Sequence, residues 1–130
     1  MPVNPYQKYK QQSIMTMTPG ELLLKLYDES INQLRQAVGA LGQKQYDKAN
    51  AALQKAQRII SHLNKTLVMD YEISKNLEAL YDFFIYKITQ ANIYKDAAQI
   101  EEILPMLQDL RDAYAQAEKN AAAEAHAAHG

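Results

Sequence analysis

Met17-Thr18-Pro19-Gly20-Glu21-Leu22 is the stretch that decides the fold. Threonine caps a helix because its hydroxyl accepts a backbone N–H of the first turn, and proline at the next position gives up no bond that the helix needs. A glutamate three residues after the cap completes a capping box, and Met17 and Leu22 stand at the spacing of a hydrophobic staple. A helix is therefore predicted to begin here. Leu23, Tyr27, Ile31, Leu34, Val38 and Leu41 continue it along one face at three- and four-residue intervals, and Gly42 is placed to stop it.

Downstream the same period recurs three times. A second helix is expected from about Gln45 to Leu67, with Ala49, Leu53, Ala56, Ile60, Leu63 and Leu67 inward and Asp47 in its first turn. Asp70 can cap a third helix that runs to about Lys95 with Ile73, Leu77, Leu80, Tyr81, Phe84, Ile88 and Ala91 inward. Asp96 with Gln99 forms another capping pair, opening a fourth through Ile100, Ile103, Leu104, Leu107, Leu110, Tyr114 and Ala117. Pro105 falls inside that last pattern and should kink it, at a cost of about 3 kcal/mol relative to an unbroken helix. Four amphipathic helices joined by connections of a few residues predict an all-α fold, an antiparallel up-down four-helix bundle.

Upstream of the cap, residues 1–17 hold Pro2, Pro5 and several glutamines with no sustained helical period, and are expected to form an irregular N-terminal arm. Residues 18–119 form the bundle domain, and the Ala-rich residues 120–130 a frayed C-terminal tail.

Composition narrows the function. Absence of cysteine removes disulfides, thiolate metal sites and a cysteine nucleophile, and is in keeping with a reducing cytosol. No secretion leader is read in the first residues and no run of apolar residues is long enough for a membrane span, so cytoplasmic residence without membrane insertion is expected. The net charge of −1 conceals an asymmetry, basic over residues 1–68 and acidic over 69–130, which can help antiparallel helices pair. It supplies no concentrated basic face, so nucleic acid is not an expected partner.

A four-helix bundle also serves di-iron and haem proteins, but the ligands for such a role are missing. None of His62, His126 and His129 has a glutamate three residues before it; His62 reads as a boundary residue and the other two as tail residues. Acid pairs such as Glu101-Glu102 and Asp109 with Asp112 read as solvated faces, and neither a Gly-rich phosphate loop nor a nucleophile elbow is present. No catalytic residue, metal or cofactor is expected, and the chain does not read as an enzyme.

Surplus apolar surface is the positive signal. Nine tyrosines and two phenylalanines exceed what a small bundle needs for its core, and tyrosine tolerates both wet and buried surroundings. The third helix carries a second stripe at Ala79, Phe83, Tyr86 and Tyr94 beside its inward one. Either this helix is the central element, touching three neighbours, or the stripe is open to an amphipathic helix or an apolar peptide. Met15, Met17, Met69 and Met106 would let such a surface adapt to a segment of imperfect fit. A homodimeric helical module that turns the stripe on itself is the competing reading.

Asn4-Pro5-Tyr6-Gln7-Lys8-Tyr9, then Ser13-Ile14, then Thr16-Met17-Thr18-Pro19-Gly20-Glu21-Leu22 and Leu26-Tyr27-Asp28 are similar to the N-terminal signature of the flagellin-specific export chaperone family, FliS. Asn76-Leu77, Leu80-Tyr81-Asp82, Ala91-Asn92-Ile93 with Asp96, and Leu110-Arg111-Asp112-Ala113-Tyr114 extend the resemblance over nearly the whole chain. The family usually shows tryptophan where Tyr114 stands. The resemblance implies a cytosolic bundle that binds the disordered C-terminal segment of flagellin, one chaperone to one flagellin, blocks its premature polymerisation and delivers it to the flagellar type III export gate. Under that reading the flagellin groove is assigned to Leu53, Ile59, Leu67, Phe83, Tyr86, Met106 and Tyr114. Ile14, Met15 and Met17 of the arm are assigned to a cap over the empty groove, and Tyr6 and Tyr9 to docking at the export gate.

Overall fold

Four helices follow one another: α1 (Pro19–Gly42), α2 (Tyr46–Lys65), α3 (Glu72–Tyr94) and α4 (Ala97–His129). The structure, a computed structural model, describes residues 17–67, 69 and 72–129, with the backbone alone over 125–129. The expected α3 cap Asp70 and the arm residues Tyr6, Tyr9, Ile14 and Met15 lie outside the described residues. No strand occurs among those described.

The α1 start is the one expected. Thr18 is extended, its hydroxyl accepts the Glu21 N–H at 3.1 Å, and Pro19 is the first helical residue. Gly42 is the last helical residue, but the left-handed step that ends the helix is taken by Lys44, while the Gln45 N–H closes back on the Ala40 carbonyl at 2.8 Å. Lys95 repeats this after α3, with the Asp96 N–H on the Ala91 carbonyl. Asp96 then caps α4: one carboxylate oxygen accepts the Ala98 N–H and the other the Gln99 amide. Each turn is so short that consecutive helices must run antiparallel.

Around the bundle the helices keep chain order, α1 beside α2 and α4, and α3 beside α2 and α4. Its core combines Tyr27, Ile31 and Leu34 of α1, Leu53, Ile60 and Leu63 of α2, Leu77, Tyr81, Phe84 and Ile88 of α3, and Ile100, Ile103 and Leu107 of α4. These are the inward positions of the helical period. α3 packs along α2 and α4 and meets α1 only through the core, and its second stripe is divided: Phe83 is partly buried, whereas Tyr86 is 57% and Tyr94 71% exposed. Ile73, expected inward, is 65% exposed.

α4 continues across Pro105 and through the Ala-rich stretch assigned by sequence to a frayed tail. Pro105 and Glu101 are both exposed, so water can serve the carbonyl that the missing N–H leaves over, and alanine has the highest helix propensity. Among the described residues the charge asymmetry of the chain supplies no ion pair between helices. Ion pairs join Glu29 to Lys55 and Asp28 to Arg111, the latter with Arg111 Nε 2.8 Å from the carboxylate. Neither sets a basic group of residues 1–68 against an acid of 69–130.

Glu118 of α4 reaches the first turn of α1. Its carboxylate is 3.4 Å from the Thr18 hydroxyl and occupies the space where a β-carbon on Gly20 would stand, 1.9 Å from that position. An acid there faces the positive end of the helix dipole. Gly20→Ala should therefore gain little: the propensity gain of about 0.5–1 kcal/mol is offset by expelling Glu118. In a Glu118→Ala background the same substitution should stabilise by that full amount in urea denaturation. Equal effects in the two backgrounds would refute the contact.

Candidate functional site

Of the four seams in the bundle, that between α3 and α4 is the loosest and that between α1 and α2 the closest. Side-chain size is the cause. Ala37 and Ala40 of α1 and Ala49, Ala52 and Ala56 of α2 are all buried, and residues this small let two backbones approach. α3 and α4 meet instead through Leu77, Leu80, Phe84, Met106 and Leu110, which hold them apart.

Near the loop that joins the two helices the seam is closed. Lys87 Nζ lies 2.8 Å from a Glu102 carboxylate oxygen and donates to the Gln99 side chain at 2.9 Å, over the ring of Phe83. Beyond that clasp the seam opens into two adjoining depressions. One, of ≈ 310 Å³, is lined by Leu80, Phe84, Met106, Asp109 and Leu110. The other, of ≈ 270 Å³, is lined by Ile73, Leu77, Leu110, Ala113, Tyr114 and Ala117. Leu110 belongs to both, so they form one trough, with Asp109 its only charged lining residue. Larger depressions over α2, along α1 and at the α1–α2 turn are lined mostly by charged and amide side chains.

Beneath the trough lies a cluster of tyrosines. The hydroxyls of Tyr27 and Tyr81, both buried, share a short hydrogen bond, and the ring of Tyr114 packs on Tyr27 at 5.4 Å between centroids. Burial raises the pKa of both inner phenols, because the phenolate would lose its water; Tyr81 is pushed up to about 12, and the Tyr27 hydroxyl is driven higher by burial together with its bond to Tyr81. The tyrosines beneath the trough are therefore neutral, and its lining is apolar apart from Asp109. The trough can bury apolar side chains. Among the described residues no group of three or more His, Cys, Asp or Glu could hold a metal ion, and no helix is long and apolar enough to cross a membrane.

Of the residues assigned to the groove from sequence, Met106 and Tyr114 line the trough, and Phe83 sits at its closed end under Lys87. Tyr86 is exposed on α3 but lines neither depression. Ile59 and Leu67 pack partly buried against the core, and Leu53 is wholly inside it, at 0% exposure, with no surface to offer a partner. Met17 lies beside Glu21 and Leu24 on α1 and lines neither depression. Ile73, Leu77, Leu80, Phe84, Asp109, Leu110, Ala113 and Ala117 also line it and had not been assigned to it from sequence. All but Asp109 and Ala113 were counted as inward-facing, since periodicity reports a face and not whether a neighbour covers it. His62 is exposed on α2.

Comparison with known proteins bears on this geometry. Residues 2–121 match the family model for the flagellar protein FliS. A curated protein of Bacillus subtilis (strain 168), flagellar secretion chaperone FliS, is 38% identical over 127 residues, covering 98% of this chain and 96% of that one. The flagellar secretion chaperone FliS of Salmonella typhimurium is 33% identical over 109 residues, with 82% and 81% covered. A crystal structure of a flagellar chaperone from bacteria superposes with a TM-score of 0.74 at 28% identity, covering 88% of this chain and 95% of its own.

The raised phenol pKa values fix a pH dependence. A group whose folded pKa lies above its unfolded value of 10.0 contributes stability that is complete below that pH and is lost as the pH rises through the folded pKa. Stability in urea should thus decline from about pH 10 upward, and phenolate absorbance should show Tyr27 and Tyr81 ionising late, with unfolding. All nine tyrosines titrating together in a folded chain would contradict the cluster.

Proposed function

The chain belongs to the FliS family of flagellar secretion chaperones, and from that membership we propose that it binds the disordered C-terminal segment of flagellin in the cytosol, one to one, and hands it to the flagellar type III export gate. The single observation that carries this reading is the open apolar trough between α3 and α4. A bundle whose core is otherwise complete leaves Leu80, Met106 and Leu110 half-covered and Ile73 exposed in one line. Such a line costs stability in water and gains it when an apolar face is laid on it.

The trough favours an amphipathic helix. From Met106 to Ala117 it extends about 16 Å along α4, the length of three helical turns. Its small lip residues Ala113 and Ala117 admit a backbone closely, and its one charge, Asp109, suits a cation flanking the apolar stripe of the guest. A chain free in solution pays the entropy of ordering when it docks, so binding is tight enough to mask the segment and weak enough to release it. Masking an assembly-competent helix is how premature polymerisation would be blocked.

The arm has a role in the same scheme. It enters at Thr18, which touches Glu118, one residue beyond Ala117 at the open end of the trough. Residues 1–16, fully extended, could span about 50 Å, several times the trough length. Ile14 and Met15 are therefore proposed to cover the trough when no client is present and to leave when one arrives, and Tyr6 and Tyr9 to meet the export gate.

Ile73→Glu and Ala113→Glu place a charge in the trough at exposed positions, so circular dichroism and melting should be nearly unchanged while calorimetric affinity for a flagellin C-terminal peptide falls at least about tenfold. Wild-type affinity in both variants would remove the trough from the function, and a stable homodimer in sedimentation that flagellin leaves intact would favour the self-associating module. Deleting residues 1–13 should leave peptide binding in place and lower flagellin secretion in cells; undiminished secretion would refute the gate assignment.

A further inference from the structure

The fold sorts the charges of the chain by helix. α2 carries Lys48, Lys55, Arg58 and Lys65 against a single acid, Asp47. α4 carries Glu101, Glu102, Asp109, Asp112, Glu118 and Glu124 against Arg111 and Lys119. α1 and α3 are each within one charge of neutral. The two unbalanced helices stand diagonally opposite in the ring, so one corner of the bundle is basic and the far corner acidic.

Lys48, Lys55, Arg58, His62 and Lys65 follow one another at steps of seven, three, four and three residues, which sets them on one face of α2. The linear sequence conceals this face because its members are spread through twenty residues of helix. Leu53, Ala56 and Ile60 hold the opposite face in the core. All five members of the stripe are exposed, as is Lys44 in the turn before it. Lys55 shares its charge with Glu29 of α1 at 3.5 Å, and among the described residues no other member of the stripe is ion-paired. On the same face lies a depression of ≈ 410 Å³ lined by Arg58, His62 and Lys65 with Gln54, Gln57 and Ser61.

We propose that the outer face of α2 docks the chain on an anionic lipid bilayer, with headgroup phosphates drawn to Lys44, Lys48, Arg58 and Lys65. Two features of the face select that occupant. No aromatic or large aliphatic side chain stands in the stripe, so it offers a protein partner no anchor to bury, and isolated surface ion pairs add little by themselves. A bilayer needs no anchor. It presents negative charge over an area wider than the roughly 25 Å from Lys48 to Lys65, and each base brought near it gains separately. Lysine fits such a surface, since a flexible stem carries a point charge to whichever phosphate is nearest.

Separation of the two charged corners is what lets a chain of net charge −1 be attracted at all. With neighbouring axes about 9 Å apart, the outer faces of diagonal helices lie about 25 Å from each other. That is about three Debye lengths at physiological ionic strength, so the acids of α4 scarcely act on a surface met by α2. The same separation turns α2 toward the bilayer and α4 away from it. The trough between α3 and α4 then opens away from the lipid. Among the described residues no helix is long and apolar enough to cross a membrane, so the attachment is peripheral and reversible by salt.

Sedimentation of the full chain with sucrose-loaded vesicles tests this. At low salt, mixed phosphatidylglycerol–phosphatidylcholine vesicles should carry the chain down and pure phosphatidylcholine vesicles should not, and added salt should release it. Arg58→Gln with Lys65→Gln should lower the partition coefficient about fivefold for each charge lost, about 25-fold together. Lys75→Gln with Lys119→Gln changes the net charge equally but on α3 and α4, and should leave partitioning within about twofold. All four side chains are exposed, so Tm should hold in both double variants. Equal losses in the two double variants, equal binding to the uncharged vesicles, or no binding to the anionic ones would each overturn the proposal. A DNA duplex that displaces the chain from the vesicles at matched phosphate concentration would overturn the lipid assignment in favour of nucleic acid.

Discussion

The size of the side chains between neighbouring helices governs the shape of this molecule. A ring of four helices cannot be tightened equally at every seam when one pair is lined by alanine and the opposite pair by leucine, phenylalanine and methionine. Ala37, Ala40, Ala49, Ala52 and Ala56 draw α1 and α2 together. Leu77, Leu80, Phe84, Met106 and Leu110 keep α3 and α4 apart, and the Lys87–Glu102 pair with Phe83 closes only the end near their shared loop. The rest of that seam stays open because no side chain long enough to close it stands at Ala113 or Ala117.

Much of the fold was legible because it is written in local chemistry. The Thr18 cap, the Asp96 cap and the inward period of each helix depend on residues a few positions apart, and sequence exposes those relations. The site was less legible for a specific reason. Ile73, Leu80 and Leu110 stand on the same stripe as true core residues such as Leu77 and Leu107, and whether a stripe is covered depends on how far a non-consecutive pair of surfaces is held apart. Surplus apolar residues on α3 left two readings open, and Tyr86 and Tyr94 of that stripe are exposed. Tyr86 was assigned to the groove because it was apolar and off the core stripe, whereas the trough between α3 and α4 opens where the core stripe itself runs out of partners.

Glycine at position 20 shows how a feature can be visible in sequence with its cause hidden. Gly is a poor helix former, and within a capping box it looks like a lapse. The carboxylate of Glu118, from a residue almost a hundred positions away, fills the volume that a side chain would need. That contact fastens α4 to the start of α1 at the point where the arm joins the bundle. The left-handed lysines Lys44 and Lys95 differ in kind, since their conformation is set by the helix-ending hydrogen bonds beside them.

Export places opposed demands on a chaperone surface, and under the proposed function the trough would meet both through partial burial. Apolar side chains wholly exposed would drive self-association, whereas side chains wholly buried would have nothing left to give a client. Leu80, Met106, Leu110 and Tyr114 each spend part of their surface on the core, which fixes their positions before a client arrives, so less ordering entropy opposes docking. The remainder of that surface is small, and a guest seated on it gains only the uncovered fraction. A shallow trough with rigid walls is therefore better suited to repeated capture and release than a deep one that must rearrange around its guest.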